Sequence, residues 1–219
     1  NADQTYTIPG TVTSVASGFI GRDTVKQVTF QGNAPSFDSE AFALVDAMAV
    51  YPENDATWTD EVKQQYGGTI DWRNTGEQIV QSGAMSGLVS WELLQNGTLV
   101  ISGTGDMPTK SYSAYPWYTY RSQIKKVVIE PGVTSVAEKA FYSTYYPNLT
   151  TVSLPEGLES IDDYAFQKLS SLVEINIPST VTGIGDYAFD RCSSLASLTI
   201  QPGVKSICSN AFSDCDGLT

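Results

Sequence analysis

Apolar positions recur along the C-terminal half of the chain with a long, fixed period. Aligned on an Ala-Phe pair, Phe141, Phe166, Phe189 and Phe212 fall in one column, at steps of 25, 23 and 23 residues. Val133, Leu158, Val181 and Val204 form a second column. Three residues later Val136, Ile161, Ile184 and Ile207 form a third, and Leu149, Leu172, Leu195 and Leu218 close each unit. Self-similarity at a period of about 20–29 residues marks a solenoid, in which each unit is one turn of a coil.

Each unit predicts one short strand, followed by a piece that turns two further apolar residues inward. "LTTVSLP" (149–155), "LVEINIP" (172–178) and "LASLTIQP" (195–202) alternate apolar and polar residues, as a strand with one buried face does. Pro155, Pro178 and Pro202 lack an N–H and end that strand. "GLESI" or "TVTGI" then sends two more apolar groups inward. The Ala-Phe turn crosses the back, with Ala where backbones pass closely and Phe filling the middle. One turn cannot bury its own faces; stacked turns can, in a parallel sheet with strands about 4.8 Å apart.

The same grammar occurs earlier. Residues 6–30 carry Pro9, Val12, Val15, Phe19 and Val25, and residues 30–45 carry Ala34, Phe37, Ala41 and Phe42. Phe19 to Phe42 repeats the 23-residue step, which gives two repeat blocks, roughly 1–50 and 124–219. Between them, residues 51–82 lose the period. "TWTDEVKQQYGG" (57–68) predicts a short helix capped by Thr57 or Thr59 and stopped by Gly67-Gly68, a lid on the first block. Residues 73–87 read as a linker. "VSWELLQNGTLVISGTGDM" (89–107) predicts a hairpin with a type I′ turn at Asn96-Gly97, Trp91 and Leu93 facing Leu99 and Ile101. Such a hairpin would cover the first edge of the second block. The expected domains are 1–82 and 83–219.

Composition narrows the chemistry. Twelve Lys and Arg against 24 Asp and Glu give a formal net charge of −12, which repels phosphate backbones; nucleic acid is excluded as a partner. No apolar run approaches the roughly 18 residues of a membrane helix, so no membrane insertion is expected of this chain. The absence of His removes the commonest general base and metal ligand. No nucleophile–base pair, phosphate loop or GxSxG is present, and no catalytic residue, cofactor or metal site is assigned. "DCDG" (214–217) lacks the remaining ligands of a calcium loop. Asn96-Gly-Thr and Asn148-Leu-Thr match the glycosylation acceptor pattern but read as turn residues. Cys192 and Cys215 share one repeated slot and read as buried small hydrophobes, and Cys208 as incidental.

The pattern L-x-x-V-x-I-P-x-x-V-x-x-I-x-x-x-A-F-x-x-C-x-x-L, clearest at 172–218, resembles the BspA-type leucine-rich-repeat proteins of bacterial surfaces. "VTFQGNAPSFDSEAF…YP…TW…YGGTIDW" resembles the segment that closes such an array, and "WELLQNGTLVISGTGDM" the segment that opens another. The chain departs from the pattern in its irregular first units and in Leu169, which stands where the motif has Cys. The resemblance implies a β-rich α/β fold: a right-handed leucine-rich-repeat solenoid with a parallel strand ladder. It would run in two repeat blocks joined by an irregular segment and a β-hairpin. It also implies surface display or secretion and adhesion to a protein or glycan partner, without enzymatic activity. The alternative is a structural spacer that displays other domains and has no ligand of its own.

Two surfaces are candidates for contact. A solenoid presents the outward positions of its stacked strands as a ladder. Here these are Lys126 and Val128, then Thr151 and Ser153, Glu174 and Asn176, and Ser197 and Thr199. They are small and polar, with no Trp, Tyr or Arg among them, and read first as a solvated sheet face and only second as a contact. The second, and the better contact candidate, is aromatic: Tyr112, Tyr115, Trp117, Tyr118 and Tyr120 near the start of the second block, with Tyr142, Tyr145 and Tyr146 in an enlarged back loop. Tyr and Trp suit recognition, including stacking on sugars, but would also plug the first turn of the coil. The closing Leu218 begins another strand, so the natural chain is expected to continue past residue 219, or the last edge to meet another molecule.

Overall fold

A computed structural model describes residues 4–19, 25–85, 87–142 and 146–218. The chain divides into two compact units, Asn1–Gln78 and Ile79–Thr219.

In the first unit, β1 (Gln4–Ile8), β2 (Ser14–Val15), β3 (Val25–Phe30), β4 (Ser36–Phe37), β5 (Asp46–Tyr51) and β6 (Thr69–Asn74) wind as a coil. A parallel sheet runs β1-β3-β5-β6, and β2 pairs with β4 in a second, narrow parallel ladder. Phe30, Phe37, Phe42, Trp58, Tyr66 and Trp72 fill the interior, with ring centroids as close as 4.8 Å.

Three expectations for residues 6–85 are overturned. The β2–β4 register sets Val15 opposite Phe37, one position short of the step from Phe19 to Phe42, so those two rings are out of phase. Phe42 is fully buried while Phe19 is 54% exposed. Residues 57–68 form turns and not a helix. Val62 N and Lys63 N both donate to Thr59 O at 3.1 Å, one turn's worth. Beyond it the backbone is claimed by the coil: Phe42 N donates to Tyr66 O (2.9 Å) and Leu44 N to Gly67 O (3.3 Å). Gly68 does not stop a helix; it lets the backbone pass closely, because a Cβ there would lie 2.3 Å from Phe42 O. Finally, 73–87 is not a simple linker. It contains the end of β6, a 3-10 turn at Thr75–Glu77 held by a reciprocal Asn74–Glu77 capping box, and β7 (Ile79–Ala84).

In the second unit, β7, β8 (Val89–Leu94) and β9 (Thr98–Gly103) form an antiparallel meander. Trp91 pairs with Ile101 and Leu93 with Leu99, as the alternation predicts. The connecting turn differs from expectation. Gly97 N donates to Leu94 O at 2.9 Å, and positive φ falls on Gly97 (86°) but not on Gln95 or Asn96. This is a type I turn closed by a left-handed glycine. The coil fixes that choice: Gly97 O accepts from Lys125 N (2.8 Å), and a Cβ on Gly97 would lie 2.6 Å from Gln123 O.

β9 is the first rung of the coil. After β10 (Gly105–Asp106) come β11 (Lys126–Ile129), β12 (Val133–Val136), β13 (Thr151–Ser153), β14 (Ser160–Ile161), β15 (Glu174–Ile177), β16 (Gly183–Ile184), β17 (Ser197–Ile200) and β18 (Ser206–Ile207). Odd strands from β9 to β17 make one parallel ladder and even strands from β10 to β18 another. The pairs Glu174–Ser197 and Ile184–Ile207 keep the spacing of the Ala-Phe column. No α-helix occurs among the described residues. The back of each turn is crossed by tight turns instead.

Between the ladders the Ala-Phe residues stack. Phe141–Phe166 centroids are 5.4 Å apart and 4° from parallel, Phe166–Phe189 5.1 Å and 19°, and Phe189–Phe212 5.1 Å and 3°. Each ring's own N–H bonds the alanine carbonyl one turn on: Phe141 N to Ala165 O (2.8 Å), Phe166 N to Ala188 O (2.8 Å) and Phe189 N to Ala211 O (2.7 Å). Phe166 is covered on both faces, whereas half-buried Phe212 has a ring on one side only. Phe166→Ala should therefore cost about 3–5 kcal/mol in denaturant unfolding, and Phe212→Ala distinctly less. Equal losses at the two positions would contradict a column that is covered at its centre and open at its end.

Candidate binding surfaces

The strand ladder places its outward residues together. Ser153, Glu174, Asn176, Ser197 and Thr199 are exposed and Thr151 half-exposed, because the alternate positions Val152, Ile175 and Leu198 face the core. With Lys126 they line one shallow depression of about 330 Å³. Gln201 Nε2 reaches Asn176 Oδ1 at its rim (3.5 Å). The depression offers hydroxyls, an amide, an ammonium and a carboxylate, all outward.

The tyrosines separate into two groups. Tyr115 and Tyr146 are 1% and 3% exposed and cannot meet a partner. The physical reason is a capping role. In later turns the carbonyl two residues before Ala accepts from the preceding turn, as Lys139 N to Asp163 O (3.1 Å) shows. At the first such turn no preceding backbone is in place. There Tyr115 Oη donates to Glu138 O (2.9 Å), and Trp117 Nε1 donates to Ala140 O (3.2 Å). Trp117 also starts the ring column, stacked on Phe141 at 5.6 Å and 17°. Burial pushes the Tyr115 hydroxyl up to about 12 and raises that of Tyr146, which packs edge-on against Phe141.

Tyr112, Tyr118 and Tyr142 stay at the surface. Tyr112 lies 5.6 Å from each of the other two, edge-on at 74° and 63°. Lys168 Nζ donates to Tyr142 Oη (3.2 Å), and the Arg121 guanidinium lies 4.1 Å from the Tyr118 ring centre. Tyr120 is half-buried against Trp91. Tyr145 lies outside the described residues.

A regularity invisible in the apolar pattern decides which side chains stand on the back of the coil. Lys139, Tyr164, Tyr187 and Asn210, each just before Ala-Phe, take φ of 55–60°, and Lys168, Arg191 and Asp214 take φ of 51–64°. Left-handed backbone costs a non-glycine residue about 1–2 kcal/mol. Most of these residues turn their N–H to the next turn's carbonyl, as Tyr164 N to Asp186 O (2.9 Å) and Lys168 N to Asp190 O (2.8 Å). Their side chains are thereby lined up: Tyr187 stacks on Tyr164 at 5.3 Å and 4°, and Lys139 Nζ lies 4.9 Å from the Tyr164 ring centre. The signal in the sequence is the polar residue before each Ala-Phe.

The second ladder borders a groove of about 430 Å³ that includes Glu138, Asp162, Asp163 and the exposed Cys208. Burial raises the Asp162 carboxyl, and the like charges of Asp106, Asp163 and Glu138 add to this, against a hydrogen bond from Ser160 Oγ (3.0 Å). Cys192 and Cys215 are buried and unbridged. Their thiols donate to Phe166 O (3.4 Å) and Phe189 O (3.1 Å), and the neighbouring Cys215 thiol together with burial raises Cys192. Among the described residues no group of three or more acidic, Cys or His side chains is placed to hold a metal ion, and no helix is long and apolar enough to cross a membrane.

Residues 113–219 match the BspA type leucine rich repeat region, in six copies. No curated protein matches the chain in sequence. Among solved structures the chain is similar to a leucine-rich repeat protein from Eubacterium ventriosum, at 28% identity over 63% of this chain and 42% of that one, with a TM-score of 0.51. It is also similar to the leucine rich repeat protein of T. pallidum (25% identity, 64% of this chain, 66% of that one, TM-score 0.45). A third is a leucine rich cell surface protein from Faecalibacterium prausnitzii (24%, 90% and 38%, TM-score 0.35). The chain thus spans less than two thirds of the length of each.

The acidic groove yields a test. Asp162 is raised in the folded state, so its contribution to stability is present below its unfolded pKa and lost as pH rises through the folded one. Asp162→Asn keeps an acceptor for Ser160 and removes the charge. Its melting temperature should exceed the parent's at pH 7, with the gap closing toward about pH 4. A variant that is less stable at pH 7, or a gap unchanged at pH 4, would refute the cause assigned here.

Proposed function

We propose, because residues 113–219 match the BspA type leucine rich repeat region, that the chain is a non-enzymatic binding module of a cell-surface or secreted protein. Its principal contact is then the strand ladder from β11 to β17, and its partner another protein, such as one of the host matrix. The observation that carries this reading is the shared depression: Lys126, Thr151, Ser153, Glu174, Asn176, Ser197 and Thr199 come from four successive turns onto one surface. The rigid register of the sheet holds their polar groups at fixed spacing, so little ordering entropy is lost when a partner docks. Short polar side chains leave strand-like spacing readable, and the absence of Trp, Arg or Tyr from the ladder points to affinity spread over many weak contacts.

Repeat regions of this kind are not generally catalytic, which supports the non-enzymatic reading. Surface display is part of the same proposal and is supported by the BspA-type match. The test is a binding screen by surface plasmon resonance against purified extracellular-matrix proteins. At least one should bind saturably. Ser153→Arg with Thr199→Arg, which fills the depression, should weaken that binding at least about tenfold, or 1.4 kcal/mol. Ser170→Ala, elsewhere on the same unit, should leave it unchanged. A blank panel, or equal loss from Ser170→Ala, would count against the ladder as the contact.

A further inference from the structure

A pocket of about 520 Å³ opens in the second unit between residues 109–112 and the turn at 138–139. Its lining is Thr109, Lys110, Ser111, Tyr112, Glu138 and Lys139. None of these belongs to the strand ladder. The volume falls in the range of small-molecule sites, and the lining combines one aromatic wall with convergent polar groups.

Tyr112, the Glu138–Lys139 pair and the Lys110 backbone are held in place. Tyr112 is 43% exposed, yet Tyr118 and Tyr142 brace it edge-on at 5.6 Å. No described ring lies flat upon it. A flat, fixed, partly apolar wall is what the C–H face of a sugar ring packs against. Lys139 is fixed by its ion pair with Glu138 and by the Tyr164 ring below its ammonium. The backbone of Lys110 is tied to the buried cap, its N–H donating to Tyr115 Oη at 3.3 Å. The Lys110 ammonium, by contrast, has no ion-pair partner among the described residues, in a chain of net charge −12.

The set matches one chemistry. Lys110 offers a cation to a single carboxylate. Thr109 and Ser111, both exposed, offer hydroxyls, and Glu138 keeps an acceptor for a sugar hydroxyl while bound to Lys139. A phosphate dianion would suffer more from the Glu138 charge than a carboxylate does, and it would leave the tyrosine wall unused. We propose that this pocket binds a pyranose bearing a carboxylate, its ring on Tyr112 and its acid group on Lys110. That chemistry has two common sources, the uronic acids of acidic polysaccharides and sialic acid. The site stands on its own residues and does not depend on the ladder reading.

The test is isothermal titration of the full chain with trigalacturonate, with sialyllactose, and with lactose as the uncharged control. One acidic sugar should bind at least about tenfold more tightly than lactose, and which one does identifies the source. Lys110→Gln should remove most of that preference and its salt dependence. Tyr112→Ala should abolish binding, while Tyr112→Phe, which keeps the wall, should retain it. The ladder variant Ser153→Arg with Thr199→Arg should bind normally, so failure of one site is distinguishable from failure of the other. Circular dichroism checks that each variant folds. The proposal is overturned if lactose binds as well as the acidic sugars, if none binds, if Lys110→Gln changes nothing, or if polyglutamate competes as effectively as the sugar.

Discussion

Everything in the second unit depends on rings meeting at one depth. An Ala-Phe pair recurs at the same point of the turns that follow Trp117, where each phenyl group lies 5.1–5.4 Å from the next while the N–H of Phe141, Phe166 and Phe189 reaches the following alanine carbonyl. Stacking and the hydrogen bond share one geometry, so neither can shift without the other. A residue larger than alanine beside the ring would push adjacent turns apart at the place where they exchange that bond. The two sheets follow as consequences. Once the turns are spaced by the column, their extended pieces fall into register on either side, and the alternation of apolar and polar residues decides which side chains face water.

Legibility in the sequence tracked how strictly a position is repeated. The ring column, the ladder from β11 to β17 and the β8–β9 pairing could be read because each apolar residue there meets the same surroundings turn after turn, whereas the second ladder shows in the sequence only as a pair of inward apolar groups. Phe19 misled because the pairing of Val15 with Phe37 makes the first unit's step shorter by a single position, a difference that apolar spacing alone does not expose. Residues 57–68 misled for another reason. Their acids, glycines and apolar spacing suit a helix, but the carbonyls of Tyr66 and Gly67 are taken by the neighbouring turn, and tertiary hydrogen bonds override local preference. Asn96-Gly97 has the composition of one turn and the conformation of another, because the coil beneath it needs the Gly97 carbonyl.

The candidate sites were less legible, and the tyrosines show why. They look alike in a sequence, yet Tyr115 and Tyr146 are structural while Tyr112, Tyr118 and Tyr142 are on the surface. The difference lies in which carbonyl needs a donor, a question about the adjacent turn and not about the residue. The left-handed positions on the back of the coil were missed for the same reason. Lys139, Tyr164 and Tyr187 carry no glycine to betray their φ, since inter-turn hydrogen bonds hold them there. Ladder residues, by contrast, follow from strand alternation alone, and all of them share one surface.

The lid over the first turn has a consequence for how such chains change length. Tyr115 and Trp117 lend side-chain donors where a backbone would otherwise serve, so the coil has a chemical head that differs from its body. Behind that head the modules from Phe166 onward keep one 23-residue step and exchange the same backbone hydrogen bonds from turn to turn. A whole module can be duplicated or lost in the middle of the gene without creating a new kind of junction. Adding or removing one such module would leave the Tyr115 and Trp117 contacts of the opening untouched.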